Sequence, residues 1–215
     1  MEFPGLLSVF LALGAAFIWG IGDFAGGLGS RRASVYRFVW SAELLGAVAL
    51  LPVAWLAGEP LPPFWALAYG VAAGVLGTFG ILILFRALAQ GQMSIAAPVS
   101  ALLTALIPVL VGTWMDGFPG WLKIAGFGLA LVAIWLISMD GDSAGVQAHL
   151  SRVALPLISG AAFGFYFVAL HSAGQEGTFW PLAAARWTAV ILLTVYLLAR
   201  LANPYCWNAL PGAWQ

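Results

Sequence analysis

Charge is what this sequence has least of. Only 7% of its 215 residues are Asp, Glu, Lys or Arg, and the formal net charge is zero. Soluble domains carry about 25% charged residues. A chain this poor in charge cannot clothe a water-facing surface, so its solvent is lipid. The few Lys and Arg residues stand singly or as the pair Arg31-Arg32, which excludes the basic footprint of a nucleic-acid binder. Cysteine is nearly absent: Cys206 alone excludes an internal disulfide and a multi-Cys metal cluster. His149 and His171 are isolated, no Ser sits in a GxSxG setting, and no carboxylates cluster. Nucleophilic and metal chemistry therefore gain no support, and the sequence does not read as an enzyme. With no GxxxxGK[ST] motif, ATP bound by this chain is not the energy source, and no cofactor is implied.

What is abundant is apolar. Hydrophobic residues make up 63% of the chain, which also holds 26 Gly and 11 Trp, and its mean hydropathy is +1.00. Aromatics anchor helices at membrane interfaces, and Gly is common in spanning helices. Crossing a bilayer takes about 20 apolar residues. Seven runs qualify, near 5–28, 36–57, 65–89, 93–115, 118–139, 152–171 and 179–201, separated by polar or turn-forming pieces such as GSRRAS, GEPLPP, QGQ and MDGFPG. The first run has no basic leader and exceeds a signal peptide's apolar region, so it reads as a retained helix. The expected fold class is all-α integral membrane, with about seven transmembrane helices. A β-barrel would show alternating segments of about 10 residues instead.

The chain repeats itself. Gly14-Ala15-Ala16-Phe17 in the first run returns as Gly160-Ala161-Ala162-Phe163 in the sixth; Arg37-Phe38 opens the second, and Arg186-Trp187 comes early in the seventh. Two landmarks in the same order, each offset by five helices, predict a five-helix repeat. An odd number of spans inverts the second copy, a plan met in many secondary transporters. The expected division is 1–139 for the first repeat, 140–151 for a linker and 152–215 for two helices of a second. Two full copies need roughly 290 residues, so the chain is expected to be truncated at its C-terminal end.

GAAFIWGIGDFAGG resembles the first helix of the EamA branch of the drug/metabolite transporter superfamily. Residues 85–112, FRALAQGQMSIAAPVSALLTALIPVLVG, resemble that family's passage from helix three to helix four. The resemblance implies a ten-helix secondary transporter of small metabolites or drug-like solutes, working by alternating access around a central cavity. It would be a multi-pass protein of the plasma membrane, meeting the bilayer, a small-molecule substrate and possible further copies of itself. The competing expectation is a non-transporting membrane protein that packs with a partner subunit. The positive-inside rule puts Arg31, Arg32, Arg37, Arg86, Arg152 and Arg200 in the cytoplasm and the N-terminus outside. The resemblance implies the opposite orientation.

Intramembrane ionisable residues are functional candidates by default. Glu43, within helix two, can titrate or hold a cationic substrate group; its alternative is a carboxyl packed between helices. Asp23 follows Trp19 by four residues, so both share one helix face, lining a cavity mouth or meeting interfacial water. Arg186 can bind an anionic group or snorkel to the headgroups; snorkelling is expected of Arg86, and His171 reads as a solvated helix end. Trp19 and Tyr166 fall at or near equivalent places in the repeat and can stack on a ligand or pack at the interface or in the core. Pro98 and Pro108 bend helix four as a gate or as a static kink; Ser100 and Thr104 are at hand to bond the carbonyls that prolines free. Gly22/Gly26, Gly70/Gly74 and Gly160/Gly164 read as close-packing pairs.

Overall fold

Residues 3–32, 34–90, 93–118, 120–138 and 146–202 are described by a computed structural model. They form seven helices: α1 Phe3–Arg32, α2 Val35–Leu56, α3 Phe64–Ala89, α4 Met93–Asp116, α5 Trp121–Ser138, α6 Val146–Ala173 and α7 Phe179–Ala202. Six are long and apolar enough to cross a membrane, and the chain is an all-α integral membrane protein. That count is of the described residues; α5 adds a further apolar helix of 18 residues, about 27 Å long at 1.5 Å per residue. Helix α6 begins at Val146, inside the stretch expected as a linker. Residues 140–145, the Gly91 break and the tail with Cys206 lie outside the described residues.

Lipid tails are as apolar as Leu, so helices in a bilayer associate where small residues let backbones approach. Helix α3 is built for this. A Cβ added at Gly70 would meet the Pro181 carbonyl of α7, and one at Gly74 the Ala185 carbonyl; at Gly77 and Gly80 the obstacles are Tyr166 and Phe163 of α6. One glycine face thus seats two helices, α7 toward the start of α3 and α6 toward its end. Helix α6 also packs along α4, where Gly160 abuts the Ser100 carbonyl and Gly164 abuts Ile107. Helix α7 packs along α2 as well. Yet α6 and α7 scarcely touch each other; α6 is lodged against α3 and α4, and α7 against α2 and α3. The buried cluster at the crossing draws Val39, Leu84, Phe85, Ala96, Phe163 and Leu193 from five helices.

Helix α1 is held differently. Residues 7–22 are exposed, and burial begins only at Gly26, Gly27 and Ser30. There Gly26 lies against Phe85 and Gly29 against Phe38 of α2. Of the expected packing pair Gly22/Gly26, only Gly26 packs: a Cβ at Gly22 would meet nothing within 4 Å.

At one end of the bundle the loop after α2 is tied to the start of α7. Helix α2 stops where Gly58 takes φ +66°, a left-handed turn that favours glycine, and the chain then presents Glu59. Its carboxylate accepts hydrogen bonds from the backbone N–H groups of Thr178 at 3.0 Å and Phe179 at 2.8 Å, while Trp180 Nε1 donates to the Glu59 carbonyl at 3.0 Å. A carboxylate on the free N–H groups of a helix start satisfies orphan donors and meets the positive end of the helix dipole.

Candidate functional site

Helix four carries Ala97, Ala101, Thr104, Ala105, Pro108 and Gly112 along one stripe, at spacings of three and four. Side chains that small leave room between α4 and its neighbours. The result is a cavity of about 1090 Å³, walled by α1, α3, α4 and α6, a size that admits a drug-sized molecule. Ala16 and Gly20 of α1 widen it from the opposite side.

Six of the residues singled out from sequence meet there: Trp19, Asp23, Pro98, Ser100, Thr104 and Pro108. Trp19 and Asp23 share the lining because four residues return a helix to the same face. The Trp19 ring packs on Phe167 with centroids 5.7 Å apart, and Phe163 and Phe167 line the cavity from α6. Asp23 is half-buried, nine residues before Arg32, so it sits about 13 Å from that end of the helix. His171 also lines the cavity, near the end of α6, as an exposed residue.

The two hydroxyls do more for the protein than was expected of them. Ser100 Oγ lies 3.3 Å from Ser159 Oγ, and Ser159 Oγ donates to the Gly80 carbonyl at 2.8 Å. That chain links α4, α6 and α3. Thr104 Oγ1 donates to the Ser100 carbonyl at 2.8 Å and approaches the Gly160 carbonyl at 3.4 Å. These are not carbonyls freed by proline, since Pro108 frees the one at Thr104 itself. Both prolines lie inside one continuous helix.

The other three residues stand apart from the cavity. Arg186 Nη1 donates to Glu43 Oε2 at 2.9 Å, so neither is a lone charge and Arg186 does not snorkel outward. Gly46, one turn beyond Glu43, leaves the guanidinium its place: a Cβ there would already touch it at 3.4 Å. Tyr166 packs on Gly77 and lies within electrostatic reach of both charges. Its ring abuts Phe167, with centroids 5.1 Å apart, so it backs the cavity wall rather than lining it. The same α2–α7 seam holds Trp40, whose Nε1 donates to Thr194 Oγ1 at 2.8 Å, and the stacked rings of Tyr36 and Tyr196. Tyr36, Trp40 and Glu43 recur at four and three residues, one face of α2 turned to α7.

Several of these partners escaped the sequence reading. Phe167 carries the same four-residue offset from Phe163 that Asp23 has from Trp19, a signal that was there to use. Ser159, a single hydroxyl in an apolar run, offered none.

A multi-span bundle around a side-chain-lined cavity defines the class as far as an integral membrane protein with room for a solute. Residues 6–139, which span α1 to α5, match the EamA-like transporter family, and the chain belongs to that family. Neither a curated protein nor a solved structure matches it.

Proposed function

We propose that the chain carries a small organic solute across the membrane as a secondary transporter, with the α1–α3–α4–α6 cavity as its binding site. The observation that carries this reading is the origin of the walls: the lining residues of α1, α3 and α4 come before the 140–151 connection and those of α6 after it, which in this reading are three walls from a first repeat and one from a second. A site at the boundary of two inverted repeats is exposed to opposite faces when one repeat rocks against the other, which is alternating access. In this reading residues 1–139 are the first repeat, 140–151 the connection and 152–215 belong to the second. Trp19 and Asp23 contact the solute, the Pro98–Pro108 segment of α4 is the gate, and Ser100 and Thr104 hold its helix in register. Glu43, Arg186 and Tyr166 couple the repeats. The plasma membrane is the proposed location, and gradients rather than ATP supply the energy.

The test is to fill the cavity. Ala101 lines it from α4, so Ala101→Trp should abolish counterflow of organic solutes in proteoliposomes while the protein elutes and melts as the parent does. Flux that survives this substitution rules the cavity out as the path.

A further inference from the structure

The cavity has a chemistry, and it is lopsided. Among the described residues Asp23 is its one formally charged lining residue, and the remaining polar groups are Ser100, Thr104, Ser172, His171 and the Trp19 indole. The described residues give the Asp23 carboxylate no hydrogen-bond or ion-pair partner. By contrast, the chain's other intramembrane carboxylate, Glu43, is paired with Arg186. A carboxylate inside the apolar layer is costly unless something pairs with it. Here the fold leaves that place open, in a cavity that aromatic rings also line. Trp19, one turn from Asp23, lies against Phe167, and Phe163 lines the same cavity. Aromatic faces attract cations through the ring quadrupole, most strongly when water is excluded.

We infer that the cavity selects monovalent organic cations with an apolar or aromatic body, the positive centre held by Asp23 and the body by Trp19, Phe163 and Phe167. This rests on the cavity being the solute site. His171 lines the same cavity from near the end of α6. An anionic solute would find a carboxylate and no cation to receive it. A neutral one would leave Asp23 unpaired.

The probe is radiolabelled benzyltrimethylammonium, bound to the purified full chain in a non-ionic detergent and followed by equilibrium dialysis. Excess unlabelled cation should displace it and phenylacetate, of similar size and opposite charge, should not. Asp23→Asn should weaken binding at least about ten-fold, since it removes the only counter-charge. Asp23→Glu should bind within about three-fold of the parent and Trp19→Leu should lose about three-fold, the range of one cation–ring contact. Equal binding by Asp23→Asn, or displacement by phenylacetate, overturns the inference. Where Asp23→Asn does not fold, the charge preference of the parent protein decides in the same two directions. Ala101→Trp separates the two layers of argument: binding lost there with charge selectivity absent in the parent sinks the cation and keeps the cavity. Binding untouched by Ala101→Trp sinks both.

Discussion

Arg186 of α7 places Nη1 2.9 Å from Oε2 of Glu43 on α2, across a sequence separation of 143 residues. Glu43 keeps 16% of its side-chain surface exposed and Arg186 38%, so the carboxylate is the more deeply enclosed partner. Removing one member of an enclosed pair strands the other, at a cost of about 3–5 kcal/mol where both are buried. Arg186 is over a third exposed, which argues for the lower end or below. Glu43→Gln should therefore lower the melting temperature and slow transport together. The exchange Glu43→Arg with Arg186→Glu should recover much of the melting temperature. Single and double variants melting alike would remove the pair from the account.

Glu59 should behave as a cap rather than as a site. Replacing a capping oxygen by Ala costs about 0.5–2 kcal/mol, so Glu59→Ala should melt lower while solute affinity is kept. Hydrogen exchange should quicken at Thr178 and Phe179, the residues whose N–H groups it holds. Unchanged exchange at those two amides would contradict the cap.

The two copies of GAAF make a matched experiment. A Cβ on Gly160 would meet the Ser100 carbonyl at 2.5 Å, whereas one on Gly14 meets nothing within 4 Å. Gly160→Ala should destabilise by about 1–3 kcal/mol through overpacking, and Gly14→Ala should be neutral or stabilising by up to about 1 kcal/mol through helix propensity. Thermal melts of the two variants decide it, and equal losses would deny the difference in packing.

Pro108 separates gate from static bend. Pro108→Ala returns an N–H donor to the Thr104 carbonyl, removing a defect that costs about 3 kcal/mol in an ordinary helix. The melting temperature should hold or rise while counterflow slows several-fold. Counterflow at the parent rate would leave Pro108 a static bend.

The helices were legible because a bilayer imposes one strict requirement, a run of apolar residues long enough to cross. That is why 65–89 was expected where α3 runs Phe64–Ala89, and 179–201 where α7 runs Phe179–Ala202. The cavity was legible in part, since i to i+4 spacing puts Trp19 beside Asp23 and Pro98, Thr104 and Pro108 recur on one stripe of α4. Which residues meet across helices was not. In a helix apolar on every side, periodicity does not mark the buried face, so Tyr166 stood open between stacking on a ligand and packing in the core, and it is found behind the wall. Glu43 and Arg186 were noticed singly, because nothing local to either names its partner. Glu59 passed as part of a polar turn; its role depends on Gly58 turning the chain toward a helix start about 120 residues away.

The grip on α1 is confined to its last two turns, where Gly26 and Gly29 lock against Phe85 and Phe38. The preceding turns, which carry Ala16, Trp19 and Gly20 to the cavity, hang from that end like a door from one post, with the Trp19–Phe167 contact as the latch. Widening the cavity therefore needs no slippage along the glycine face of α3. Spin labels at Leu11 and Leu110 should report a broad, ligand-sensitive separation, and labels at Val71 and Leu192 a narrow, fixed one.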